Sequence, residues 1–397
     1  MDTFSTMSHL NAILRLVSLS CIVRDRSTLR HSWSFYKASF HVIFLTTFTI
    51  LSMYFKFYSI HGLSSFSFKD AIQFVYLLGY VQYLSDLYFV YKYRQLYLDY
   101  INMYDYIDRI LGINYISIIK SRVTKICLVF LIFDLCCSVF DYTSWIFFYG
   151  WLIPTLYSVE YVFYLFKNLS IADMAANMYQ LEYRLRAIGD LLENDKTSTI
   201  TVKSVHKDIK LTVDAFDHKA YKLDLAALNQ DRPEVILGIS RCYLLLLDQA
   251  DCINTMYGLR ILVTSIIILI TFIMSLNIII RLVLGSMRVE NQIVKCLIIF
   301  STIFRVFGSC FVVNCGIHRF ERCYRESERI IRIIDHNLIN RNISPSTHRA
   351  LHDLRDLILS RPLNFHAHNF YRLDYTFLVS VSSATVTYTI ILLQNMQ

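Results

Sequence analysis

Seven apolar segments recur along this chain, and their lengths limit what it can fold into. A helix needs about 20 apolar residues to cross ~30 Å of hydrocarbon. Hydrophobic residues make up 55% of the 397-residue chain and charged residues only 18%, a balance that favours a membrane protein over a soluble enzyme. We therefore predict an all-α membrane protein with seven transmembrane helices, over residues 38–60, 71–91, 127–149, 151–166, 259–282, 293–316 and 373–394.

Amphipathic repeats continue beyond several spans, so we expect some helices to extend out of the bilayer and pack into an anchor domain. After span six, arginines from Arg319 to Arg332 alternate with glutamates, a pattern typical of ion pairs along one solvated helix face. The predicted organisation is an N-terminal segment over 1–37, spans one to four over 38–166, helical extensions over 167–258, spans five and six over 259–316, further helices over 317–372 and the last span over 373–397.

Lysine and arginine are concentrated on alternate connections between the spans. The N-terminal segment and the connection between spans two and three are rich in them, whereas the connection between spans one and two holds Lys69 alone. Because positive loops stay in the cytosol, we expect a cytosolic N-terminus, a cytosolic anchor domain and an extracellular C-terminus. This orientation is opposite to that of G-protein-coupled receptors. The net charge of +8 reflects these anchoring positions and does not indicate nucleic-acid binding.

The last span differs from a plain lipid anchor, because small and hydroxylated residues recur along one side of it. At the helical period they fall on one arc of about 100°. The arc holds Thr376, Ser380, Ser383, Ala384, Thr387, Ile391 and Gln394. A stripe of this kind either lines water or lets helices approach closely, and the residues alone leave both interpretations open.

Ionisable residues inside the predicted spans are costly unless they are paired or face water. Arg305 lies halfway along span six. Asp134 and Asp86 are placed at similar depth, so we expect a structural ion pair between Arg305 and one of them.

Aromatic residues around Glu160 indicate a candidate ligand pocket in the outer half of the membrane. They are Trp145, Tyr157 and Tyr161. A carboxylate among aromatic rings suits an amine or alkaloid, which would make cation–π contacts. A belt of interfacial aromatics around a hydrated glutamate explains the same residues equally well.

The last span also carries a motif with a known counterpart. Thr387 and Tyr388, five apolar-leaning residues and then Gln394 resemble the C-terminal signature of insect gustatory receptors, Thr-Tyr, five hydrophobics and Gln-Phe. The segment around Asp374 resembles that family too. Asn395 stands where the family usually has phenylalanine.

The resemblance implies a tastant-gated, non-selective cation channel with four subunits, each contributing its last helix to one pore. Its partners would be a small-molecule tastant, membrane lipid and other gustatory receptors in a homo- or hetero-tetramer, at the plasma membrane of sensory neurons. Tyr388 would pack against neighbouring helices, and Ile391 would form an apolar constriction. The pore residues implied are Ser383, Thr387, Ile391, Gln394 and Asn395.

Neither a cofactor, a metal site nor an enzymatic activity is expected. No cluster of carboxamides and carboxylates that could read sugar hydroxyls appears in the outer half, so bitter or other small, partly apolar compounds are favoured over sugars. The alternative is a seven-helix receptor that signals through a partner protein without conducting ions.

Overall fold

The computed structural model describes residues 3–20, 22–25, 28–31, 35–59, 66–111, 116–193, 233–284, 291–340 and 343–394. Almost all of the described part of the chain is helical. The helices are α1 (Thr3–Thr6), α2 (Ser8–Leu16), α3 (Phe35–Ser59), α4 (Phe66–Lys92), α5 (Arg94–Leu111), α6 (Ile116–Tyr149), α7 (Leu152–Tyr157), α8 (Val159–Glu193), α9 (Pro233–Val283), α10 (Gln292–Asn340), α11 (Pro345–Ser360) and α12 (Tyr375–Gln394). Strands β1 (Ile22–Asp25) and β2 (Thr28–His31) form a short antiparallel hairpin.

In the described residues, the predicted spans fall mostly on helices, which confirms the predicted all-α fold class. Four helices, α3, α6, α9 and α10, are long and apolar enough to cross a membrane by length and composition. Helix α12 is apolar over the shorter stretch Tyr375–Ile391. Spans two and four lie on α4 and on α7 with α8. Their lower hydropathy is consistent with partial cover by the other helices.

Span four is broken where the sequence indicated one helix. Helix α7 ends at Tyr157, and the Ser158 hydroxyl donates to the Thr155 carbonyl at 2.8 Å. Pro154 lies in the first turn of α7, where its missing N–H costs no helical hydrogen bond, and the break comes at Ser158, whose N–H donates to the Thr155 carbonyl at 3.2 Å. Helix α8 then starts afresh, with Glu160 in its first turn beside the positive end of the helix dipole.

The main hydrophobic core lies in the helical extensions rather than in the spans. It is formed where α5, α8, α9, α10 and α11 meet, and its largest fully buried side chains include Tyr100, Tyr104, Tyr243, Phe320 and Phe365. Along α3, by contrast, Phe40, Phe44 and other large apolar side chains are exposed. Exposed apolar rings are expected on a surface that contacts lipid.

Ion pairs between helices hold the extensions together. The Glu182 carboxylate of α8 is buried, and it pairs with Arg186 at 3.2 Å, with Arg319 at 3.1 Å and with Arg322 at 3.6 Å. Arg186 also pairs with Glu326 at 2.9 Å. The expectation of ion pairs along one solvated face of α10 was therefore only partly correct, because several of these arginines reach across to α8.

The segment between α11 and α12 folds back onto the core as a strap, residues 361–374. The Phe365 N–H donates to the Tyr324 hydroxyl at 2.9 Å, and that hydroxyl donates to the Phe365 carbonyl at 3.3 Å. The Asn254 amide donates to the Asn364 carbonyl at 2.8 Å. The strap lies so close to α9 that a Cβ on Gly258 would come within 3.1 Å of a strap backbone nitrogen. The start of α12 is thus fixed relative to α9 and α10.

Candidate functional site

Helix α12 presents its small-residue arc away from the rest of the chain. Ser383, Thr387, Ile391 and Gln394 are all exposed, whereas Thr385 on another side is buried. The Thr387 hydroxyl donates to the Ser383 carbonyl at 3.0 Å, so its hydrogen is satisfied without water. This surface is available to water or to another copy of the chain.

In the motif region, Asp374 is held at the start of α12, whereas Tyr388 is exposed. Asp374 caps α12, because its carboxylate accepts the Thr376 N–H at 2.9 Å. Tyr388 is 52% exposed within one copy of the chain. Its predicted packing role therefore depends on contacts from outside the chain and stays a prediction. Asn395 lies outside the described residues.

The helical bundle contains a cluster of charges around Arg305. The guanidinium lies 3.4 Å from Asp141 and 3.8 Å from Glu160. Tyr161 donates to Asp141 at 2.9 Å, and Tyr164 donates to Glu160 at 3.0 Å. Helices α6, α8 and α10 are thus joined through buried charge.

The expected partners of Arg305 are engaged elsewhere. Asp86 pairs with Arg260 at 2.8 Å, and Asp134 accepts a hydrogen bond from Asn168. Asp141 lies about two turns further along α6 than Asp134, a distance of roughly 10 Å. The ends of an apolar run locate a residue's depth in the membrane only to within about two helical turns, so they do not distinguish Asp134 from Asp141 as the partner of Arg305.

A small cavity of about 30 Å³ adjoins this cluster. Its lining includes Asp134, Tyr161, Tyr164, Asn168, Arg305 and Val312. An engineered cavity that admits benzene has about 150 Å³, so rings must move before a ligand of that size enters. The site is therefore compact in this conformation.

Two buried hydrogen-bond donors at this site have no acceptor within reach in the part of the chain that the structure describes. Among the described residues, Lys167 Nζ and Arg305 Nε are buried and have no acceptor. Lys167 Nζ lies 4.7 Å and Arg305 Cζ 5.8 Å from the centre of the Tyr164 ring. Asp134, Asp141 and Glu160 already accept hydrogen bonds from neighbouring side chains. A ligand that supplies a hydrogen-bond acceptor would satisfy the donors on Lys167 and Arg305.

The four residues of the candidate ligand pocket are only partly brought together. Glu160 and Tyr161 both belong to the Arg305 cluster. Trp145 packs instead beside Ile278, Leu282 and Ile298, in a separate apolar cluster. The structure describes Tyr157 as the last residue of α7 and does not describe its side chain.

A second buried polar network, which the residue pattern did not predict, joins α4, α8 and α9. Arg260 donates to Asp86 and to Ser170, each at 2.8 Å. Tyr257 donates to Asp173 at 2.6 Å. The sequence signal for this network is Arg260, which lies at the start of the most apolar run, because a charge at that position requires a buried partner.

Comparison with known proteins defines the fold. The solved structure of the insect olfactory receptor OR5 from Machilis hrabei has a TM-score of 0.64 to this chain at 11% identity, with 98% of each chain covered. The structure of the same receptor in complex with eugenol has a TM-score of 0.61 at 10% identity, again with 98% of each chain covered. No curated protein matches the chain.

The sequence model of the 7tm Chemosensory receptor family matches residues 9–395, which is nearly the whole chain. This match confirms the resemblance to insect chemoreceptors that the last span indicated. The chain belongs to the 7tm chemosensory receptor family.

Proposed function

We propose that this chain is a gustatory receptor that acts as a tastant-gated, non-selective cation channel of four subunits. The exposed arc of α12 carries the proposal, since a stripe of small and hydroxylated residues on the outside of one copy suits a shared, water-filled pore. The N-terminus would be cytosolic and the C-terminus extracellular, at the plasma membrane of sensory neurons. A structure of OR5 with eugenol supports small-molecule recognition on this fold.

The Arg305 cluster is the proposed ligand site. Its unused donors on Lys167 and Arg305 favour a ligand with an acceptor oxygen, such as a carbonyl or an ether, over the amine that the aromatic residues indicated. Rings beside the cavity suit a partly apolar body, which agrees with bitter compounds more than with sugars.

The pore is tested by shortening the apolar side chain at the proposed constriction. Ile391→Ala should raise basal current, and Gln394→Ala should change the permeability ratio of sodium to potassium, in whole-cell recordings. Ile390→Ala is the matched control, because Ile390 and Ile391 are comparably exposed but point about 100° apart. Wild-type leak and selectivity in both test variants would contradict the pore assignment.

Ion flux through the purified protein in a planar bilayer separates a channel from a receptor that signals through a partner.

The ligand site is tested with a ketone and its matching amine. Acetophenone should shift the thermal midpoint of the purified protein more than 1-phenylethylamine does, because only the ketone offers an acceptor without adding a charge. Lys167→Met removes a buried donor that has no acceptor among the described residues, and it should weaken ketone binding by roughly tenfold. A stronger response to the amine would contradict the ligand class.

A further inference from the structure

The first turn of α12 is tied to α10 by a histidine that is bonded through both ring nitrogens. His318 Nδ1 lies 2.6 Å from the Tyr375 hydroxyl, and Tyr375 is the first residue of α12. On the other edge of the ring, Arg322 Nε donates to His318 Nε2 at 3.3 Å. The imidazole therefore bridges the anchor region and the helix proposed to line the pore.

These two contacts fix the protonation state of the ring. A guanidinium has no acceptor, so Nε2 of His318 must accept the hydrogen bond from Arg322. A neutral imidazole carries one N–H, which then lies on Nδ1 and donates to the Tyr375 hydroxyl. A second proton on Nε2 would point at Arg322 and add a positive charge beside it.

The charged groups around His318 also disfavour its protonation. Burial, then Arg322 and Arg319, lower the pKa of His318 below its ordinary value; Arg325 acts in the same direction and Glu182 of α8 opposes it. Glu182 is already shared between Arg319 and Arg322. On the side of α12, the nearest charged side chains along the chain are Arg372 and Asp374, which pair with each other at 3.7 Å.

Other contacts also hold this turn in place. Tyr371 stacks on Phe377 with ring centres 4.8 Å apart, and its hydroxyl donates to Ser265 of α9 at 2.6 Å. Asp374 caps the helix. Among these contacts, the one that a histidine makes directly with α12 is the contact between His318 and Tyr375.

We propose that His318 is a positioning residue for the pore helix: its neutral form holds the first turn of α12 against α10, and its protonation releases that turn. The docked arrangement binds fewer protons than a released one. Docking is therefore complete above the ordinary histidine pKa of about 6.5 and is lost as the pH falls below it. An effect on gating rests on the proposed channel function, whereas the positioning does not.

Hydrogen–deuterium exchange of the full-length protein in detergent tests the release. Protection of amides in residues 375–384, corrected for intrinsic exchange rates, should fall up to about fourfold between pH 7.5 and 6.0, the limit set by proton uptake at a released histidine with a pKa of about 6.5. His318→Asn cannot gain a charge and should remove the pH dependence. His336→Asn is the matched control on the same helix, since His336 is exposed, and it should behave like wild type.

Tyr375→Phe keeps the ring and loses the hydroxyl, so it should show reduced protection at both pH values. Protection that does not depend on pH in wild type, or a pH dependence that persists in both His318→Asn and Tyr375→Phe, would overturn the proposal. In excised patches, lowering the pH on the face that bears His318 should change the half-maximal ligand concentration at least about threefold, an effect of the size of one hydrogen bond, in wild type and not in His318→Asn. Exchange that follows the expected pattern without any current would refute the channel and leave the positioning role intact.

Discussion

Two carboxylates that differ in burial and in distance compensate the charge of Arg305 within span six. Asp141 is only 1% exposed and accepts from Arg305, Tyr161 and Ser301. The Glu160 side chain is 24% exposed and lies further from the guanidinium, at 3.8 Å. The buried acid should therefore contribute most of the charge compensation.

Asp141→Asn should destabilise the protein by about 3–5 kcal/mol, because it leaves a buried guanidinium without its main counter-charge. The measurement is the thermal midpoint and the monodisperse yield in detergent. Glu160→Gln is the matched control and should cost only about 1 kcal/mol, since its carboxylate is partly solvated. Equal losses in the two variants would contradict the assigned order.

The residue pattern indicated that Arg305 needs a partner, and it could not say which. Pairing depends on which turn of α6 faces α10, and the sequence carries no direct signal of helix rotation or tilt. For the same reason, the sequence pattern could not show that Trp145 and Glu160 lie in different clusters. By contrast, the exposed arc of α12 follows from residue spacing on a single helix, and such a pattern can be read without knowing any neighbour.

Among the helices and the segments that join them, the strap between α11 and α12 determines how the last helix is attached. Its backbone lies against Gly258 of α9, where a Cβ would come within 3.1 Å of the His368 nitrogen and 3.3 Å of the His366 carbonyl oxygen. Backbone atoms cannot swing aside as the end of a side chain can. A methyl group at this position must displace the strap or bend α9.

Gly258→Ala should lower the free energy of unfolding by about 1–3 kcal/mol despite the better helix propensity of alanine. Gly189→Ala on α8 is the control, because a Cβ there would make only ordinary contacts, the nearest at 3.6 Å. It should gain up to about 1 kcal/mol from helix propensity alone. If the two variants unfold at the same thermal midpoint, the strap backbone can move to accommodate the added methyl group at little cost in stability.

The helices themselves were predictable to different degrees. Apolar runs mark segments that avoid water, and the predicted spans fall mostly on helices of the structure. Helix α9 runs unbroken from Pro233 to Val283, as the helical pattern that leads from Pro233 into span five predicts. The break at Ser158 and the short hairpin near the N-terminus depend on local backbone bonding, which a hydropathy pattern does not record.

For the molecule as a whole, the distribution of positive charge fixes the expected orientation. An acceptor sequence for N-glycosylation, added on a short polar tail after Gln397, should be modified, and the same tail placed before Met1 should not be. A mobility shift that is reversed by glycosidase, seen in cells, is the measurement. Modification of the N-terminal tail alone would reverse the orientation of every span.

Assembly is the remaining property of the whole molecule, and α12 again provides the test. If four copies place the small-residue arc around one axis, cysteines on that arc approach their counterparts, whereas cysteines on the buried side cannot. Thr387→Cys should form disulfide-linked dimers on mild oxidation above the background of the native cysteines, because Cα atoms must come within about 7 Å to be bridged. Thr385→Cys carries the same substitution two residues away at a buried position and should not. Cross-links from Thr385→Cys alone would mean that the exposed arc faces lipid, and the pore would then have to be sought on another surface.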